Sequence, residues 1–148
     1  MTMRTFAVVV VALALGASTA SAATITIPAI QVRQQVTLNL NAGPAWWPVT
    51  GRPGGGDTIA VAGHRTTHTR PFHDLDRLRR GDKIYVRWSG RTYPYVVTSR
   101  RIVSVRNLHI GDAVGHERLL LTACARRDGS PTSASYRIVV YALPARTS

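Results

Sequence analysis

Three side chains in this sequence are suited to acyl transfer, and each stands at or near the end of an apolar run. Cys124, the only cysteine, closes Leu119-Leu120-Leu121-Thr122-Ala123 and is followed by Ala125-Arg126-Arg127-Asp128-Gly129. Guanidinium charge beside a thiol favours the thiolate, which is the nucleophilic form. The competing role for such a cysteine is that of a small buried hydrophobe. His64 ends Val61-Ala62-Gly63 and leads into Arg65-Thr66-Thr67-His68. The glycine lets another part of the chain or a substrate approach closely. An imidazole there could pair with the thiolate and protonate a leaving amine. His68 is a rival four residues on, deeper in the polar stretch. Arg137 lies in Tyr136-Arg137-Ile138-Val139-Val140-Tyr141, where strand alternation puts it on the face of Val139 and Tyr141. An arginine so placed needs a partner or an anion, and an oxyanion formed during acyl transfer would serve. A solvent-facing arginine is the alternative, and Arg126 or Arg127 could take the same role.

Chemistry of this kind needs a frame, and the chain has room for one domain: 148 residues, enough to bury a core without a metal or disulfide. The first residues read as an export signal. Arg4 supplies the positive start, Phe6 to Leu15 is an unbroken apolar run, and Ala20-Ser21-Ala22 gives a small-x-small cleavage pattern. A spanning helix wants about 20 strongly apolar residues, so residues 1–22 read as a cleaved signal, with an uncleaved N-terminal anchor as the alternative. Residues 23–148 then form a single mature domain.

Of the 19 basic residues only Lys83 is lysine; they face seven carboxylates, for a net charge of +12. Loss of the signal removes Arg4 alone. The arginines are scattered over strands and loops, with no motif interleaving them with aromatics, so nucleic acid is not an expected partner. The charge is read as solubility plus attraction to an anionic cell envelope. In an exported protein, a lone thiol with no intrachain partner is an intermolecular partner, a buried remnant or a nucleophile.

The mature chain reads as strand after strand. Ile25 to Ile30 opens it, then Gln31 to Leu40, then a turn-rich loop from Asn41 to Asp57 containing Gly54-Gly55-Gly56. Those glycines are not a phosphate cradle, since no Gly-Lys-Ser/Thr follows. Thr58 to Ala62 is a short apolar strand. Pro71 to Arg79 is the one helical candidate, with Phe72, Leu75 and Leu78 at helical spacing and Gly81 beyond. Ile84 to Trp88 and Thr92 to Thr98 flank the hairpin signal Ser89-Gly90. Arg101 to Val105, Arg118 to Ala123 and Tyr136 to Leu143 complete a set of seven or eight short strands. That count suggests a closed barrel or a sandwich.

In the order His, Cys, Arg, these segments resemble the sortase family of bacterial cell-envelope cysteine transpeptidases. The likeness is carried by Ala62-Gly63-His64-Arg65-Thr66-Thr67-His68, by Pro71-Phe72 and Asp74-Leu75, by Leu121-Thr122-Ala123-Cys124, and by Arg137 in the last strand. The histidine segment looks most like the class E group of high-GC Gram-positive bacteria. The resemblance implies an all-β fold, a sortase-like closed β-barrel of seven to eight strands with one or two short helices, in which His64, Cys124 and Arg137 converge. It implies Cys124 as nucleophile, His64 as acid and base, Arg137 as oxyanion and substrate holder, and Thr122, Ala123 and Thr66 as substrate contacts. The implied substrate is a Leu-x-x-Thr-Gly-type sorting signal, and the implied acceptor is a peptidoglycan precursor or another envelope amine. The enzyme would be extracytoplasmic, secreted or held at the membrane by its N-terminus. No cofactor is implied, and the seven carboxylates predict no calcium site. The family's cysteine motif is usually Thr-Leu-x-Thr-Cys; Leu120 and Ala123 stand here in place of its two threonines. That departure sustains an alternative, a catalytically impaired envelope protein on the same barrel that binds peptide or wall polymer. Papain-like enzymes place cysteine before histidine, and the L,D-transpeptidase His-Gly-Cys motif is absent.

Overall fold

The computed structural model describes residues 22–132 and 135–146. The export segment expected over 1–22 therefore falls, except for its last residue, outside the described residues. Among the described residues, no helix is long and apolar enough to cross a membrane.

Eight strands form one sheet: β1 (Thr24–Ile27), β2 (Val32–Gln35), β3 (Ala45–Trp46), β4 (Thr58–Ala62), β5 (Lys83–Trp88), β6 (Arg91–Ser104), β7 (Arg118–Ala125) and β8 (Tyr136–Pro144). Their order across the sheet is β2-β1-β5-β6-β8-β7-β4-β3. The sheet curls so far that a bridge from Thr37 to Ala45 ties the chain just past β2 to β3 at the opposite edge. The result is the all-β, barrel-like shell expected, with eight strands.

Alternation explains what the curl encloses. Ile59 and Val61 of β4, Leu119, Leu121, Ala123 and Ala125 of β7, and Ile138, Val140 and Ala142 of β8 all point into the principal core with Ile25, Ile27, Ile84, Val86 and Tyr95. Full burial of each large aliphatic side chain contributes roughly 1.5–3 kcal/mol before the entropy of ordering is set against it. The opposite faces of the same three strands carry a second, smaller cluster of Ala60, Leu120, Val139 and Ile110, flanked by Trp47, Val103 and Tyr141. β4 and β7 run parallel, with Thr58 opposite Arg118 and Ala62 opposite Thr122. Strands covered on both faces in this way read as continuous apolar runs, which is how both look in the sequence.

Three expectations are refined. The two strands read at 92–98 and 101–105 are a single strand, β6. It pairs with β5 over its first half and with β8 over its second, with a register shift between Val97 and Ser99 that bends it from one neighbour to the other. The helix expected over Pro71–Arg79 is a series of turns with one 3-10 turn, Leu75–Arg77. The reason is local: the His73 carbonyl, which an α-helix would offer to the amide of residue 77, accepts instead from Arg65 Nε at 2.8 Å, and Arg77 N turns to Asp74 O at 2.9 Å. Finally, the glycine run's amides are taken up from within. Glu117 accepts from Gly54 N at 3.2 Å and Gly56 N at 3.1 Å while holding the Tyr95 hydroxyl at 2.6 Å. At the 89–90 hairpin, Ser89 (φ 50°) and Gly90 (φ 79°) are both left-handed, as a two-residue turn demands.

Candidate active site

The ends of β4, β7 and β8 lie side by side. Cys124 on β7 is the register partner of Arg137 on β8. Gly63 N donates to Thr122 O at 3.0 Å, so the parallel ladder runs one residue beyond β4 and His64 emerges level with Cys124. By alternation, Thr122 and Cys124 share the outer face with Leu120, and Arg137 shares it with Val139. Five of the six expected positions, His64, Thr122, Ala123, Cys124 and Arg137, line one cavity of about 450 Å³. Its apolar wall includes Leu38, Leu40, Trp46, Trp47, Val105 and Ile110. Thr66 is exposed in the loop after His64 and is not part of that lining.

His64 is half-buried and held from two sides. Its Nε2 lies 3.1 Å from Asn41 Oδ1, and its ring stacks on His68 with centroids 4.6 Å apart and planes 22° from parallel. Since an amide oxygen only accepts, Nε2 carries the proton, and in the neutral ring the Nδ1 lone pair is left for another partner. Burial, and secondarily the charge His68 can carry, push the His64 pKa below its usual value. Gly63 admits a close neighbour, as its type suggested, but the neighbour is Phe72: a Cβ at Gly63 would come within 2.4 Å of the Phe72 ring.

Cys124 is a free thiol, partly exposed to the cavity. Arg137 Nη1 donates to the Tyr136 carbonyl at 3.0 Å, which anchors one arm of the guanidinium. Thr122 is 3% exposed, and its hydroxyl has no hydrogen-bond partner among the described residues. A buried unsatisfied hydroxyl costs about 1–3 kcal/mol, so it marks a place where an incoming polar group would be welcome. Ala123, by contrast, is 4% exposed and packs in the principal core as well as bordering the cavity.

One residue that sequence reasoning passed over underpins this arrangement. Arg65, the neighbour of His64, is 1% exposed. Its guanidinium pairs with Asp76 at 2.8 Å and donates to the carbonyls of His73 (2.8 Å), Cys124 (3.2 Å) and Gly129 (3.3 Å). It thereby ties the segment that carries His64 to the strand end that carries Cys124. Burial lowers the Arg65 pKa, opposed by the nearby Asp76 carboxylate, yet guanidinium stays charged in proteins. Nothing in the sequence distinguishes it from the other arginines except its place beside His64. Asn41 was hidden for a similar reason, since it lies in a loop whose course composition does not fix.

Comparison with known proteins accords with this geometry. The model of the Sortase domain matches residues 24–145, so the chain belongs to the sortase family, whose members are cysteine transpeptidases. No match was found among curated proteins. Among solved structures, a variant of sortase E from Streptomyces avermitilis is 26% identical, with a TM-score of 0.70 over 84% of this chain and 87% of that one. A sortase D5 transpeptidase from Clostridium perfringens is 22% identical, with a TM-score of 0.73 over 84% and 79%. Sortase C-1 of Actinomyces oris is 24% identical, with a TM-score of 0.74 over 84% and 73%.

Proposed function

We propose that this sortase cleaves a Leu-x-x-Thr-Gly-type sorting signal through a Cys124 thioester and passes the acyl group to an envelope amine, a peptidoglycan precursor or a comparable acceptor. The supporting observation is the single cavity lined by His64, Cys124 and Arg137 at three adjacent strand ends. In the first step the Cys124 thiol passes its proton to His64 as its sulfur attacks the threonine carbonyl carbon, and the electron pair moves to oxygen beside the Arg137 guanidinium. As the carbonyl re-forms, the bond to glycine breaks and His64 gives its proton to the departing amine. In the second step an incoming amine attacks the thioester carbon, His64 takes its proton, and the sulfur leaves as thiolate. The Thr122 hydroxyl, buried on the same face and unsatisfied, is suited to a backbone group of the bound signal. The apolar wall of Trp46, Trp47, Leu38 and Leu40 suits its aliphatic end. The reaction takes place outside the cytoplasm at the cell envelope, the protein being exported or held there by its first residues.

The impaired-relative reading drew on Ala123. Its side chain packs chiefly in the barrel core and only borders the cavity, which supports the reading that the missing hydroxyl bears more on packing than on the chemistry at Cys124. Mass spectrometry after incubation with a sorting-signal peptide tests the proposal. An acyl adduct on Cys124 is expected, with none in Cys124→Ala and about 100-fold or more slower formation in His64→Ala and Arg137→Ala. Full turnover by Cys124→Ala would end it.

A further inference from the structure

A second cavity, about 820 Å³ and open to solvent, lies where the 3-10 turn at Leu75–Arg77 and the residues after it cross β6. It shares no lining residue with the Cys124 cavity. Four arginines line it: Arg77, Arg79 and Arg80 from the turn segment and Arg100 from β6. Carboxylates are present but committed. Asp76, in the wall, is bound to buried Arg65 at 2.8 Å and neutralises that charge. Asp74 takes Arg77 at 3.5 Å. Asp82 turns its Oδ2 to the backbone amide of Arg79 at 2.7 Å. Arg79, Arg80 and Arg100 are left, among the described residues, without a carboxylate partner. Three like charges around one concavity add up to a positive potential that draws an anion into it.

The geometry points to a binding site for a soluble phosphate ester, here a segment of polyol-phosphate polymer, seated among Arg79, Arg80 and Arg100. Guanidinium forks match phosphate oxygens two at a time, and two or three of them can clasp one tetrahedral group. The cavity is far larger than one phosphate, which suits a stretch of polymer. A lipid surface fits less well. The apolar residues of the wall, Leu78 and Val97, are 2% and 1% exposed, so no apolar side chain is free to enter a bilayer. This inference does not depend on the proposed transpeptidation.

Isothermal titration of the exported domain with inorganic pyrophosphate and with a glycerol-phosphate oligomer, at physiological salt, decides the matter. Binding of both probes is expected, weakened about tenfold or more in Arg79→Gln/Arg80→Gln/Arg100→Gln as charge-assisted bonds are lost. The double variant Arg79→Gln/Arg80→Gln, confined to the exposed turn, is expected to lose an intermediate share without any question of folding. A control of equal net charge, Arg33→Gln/Arg87→Gln/Arg91→Gln, should bind as the unaltered protein does. Equal losses in the control, no binding of either probe, or binding only to phosphatidylglycerol vesicles would each overturn the assignment.

Discussion

The two flanks of the active-site cavity are built by different means. On one flank Cys124 and Arg137 face each other across the β7–β8 ladder, where every backbone group between Leu119 and Cys124 has a register partner. Their positions follow from strand alternation and cost nothing beyond forming the sheet. On the other flank His64 has already left its strand. Its place is set by side chains from outside the sheet: Asn41 on Nε2, His68 against the ring, Phe72 filling the space over Gly63, and Arg65 behind it. The nucleophile is thus positioned by the backbone, while the acid is positioned by a set of individual contacts. Substitution should therefore perturb the histidine flank far more readily than the thiol flank.

The largest effect is expected where the two flanks are joined. Arg65→Met keeps the length of the side chain but strands Asp76 and deprives the carbonyls of His73, Cys124 and Gly129 of their donor. Removing one member of a fully buried ion pair costs about 3–5 kcal/mol, and because Asp76 is partly exposed and screened by water the loss here should fall towards or below the lower end of that range. Denaturant unfolding should show that loss. If the midpoint barely moved, the joint between His64 and Cys124 would have to lie elsewhere. Arg65→Lys should recover only part of it, since an ammonium cannot reach carbonyls in three directions at once.

The same contrast explains what was legible in the sequence. β4, read as Thr58 to Ala62, and β7, read from Arg118 to the cysteine, were visible because a strand covered on both faces is apolar throughout. Alternation put Arg137 on the face of Val139 and Tyr141, while its meeting with Cys124 was implied by the family resemblance and is set by the β7–β8 register. The supports of His64 were not visible. Asn41 acts from a loop with no periodicity, and Arg65 is one arginine among eighteen whose burial only the folded chain reveals. The false helix at 71–79 has the same origin. Phe72, Leu75 and Leu78 are buried as their spacing suggested, but a carbonyl taken by Arg65 prevents the α-helical bond pattern. Local pattern reports which side chains turn inward and is blind to a side chain eight residues away that competes for a backbone carbonyl.

A smaller effect should sharpen the picture of the thiol flank. Thr122→Val removes a hydroxyl that has no partner among the described residues while keeping its shape. Stability should be unchanged or rise by about 1 kcal/mol, because an unsatisfied buried group is gone. Transfer from a sorting-signal peptide should nevertheless slow, with kcat/KM falling about tenfold if the hydroxyl bonds the substrate. A loss of stability with no change in kcat/KM would make Thr122 a packing residue and the cavity wall beside Cys124 purely apolar in function.

The smallest effect concerns charge alone on the histidine flank. His64 is held below the usual imidazole pKa first by burial and then by His68. The proton balance therefore has a definite sign: the unfolded chain binds a proton at His64 more readily than the folded one. This residue's contribution favours folding fully above the unfolded imidazole range and is lost as pH falls through it towards the lower folded value. His68→Phe keeps an aromatic face against His64 and removes the charge that repels its proton. The His64 titration, followed by the ring Cε1–H resonance, should then move upward towards the ordinary value without returning to it, because burial still holds it down. The acid limb of the transfer rate should move in the same direction. A titration that stayed fixed would leave burial as the sole cause and reduce the stacked ring to a support for the plane of His64. A downward move would mean that His68 accepts a hydrogen bond from protonated His64 instead of repelling its charge.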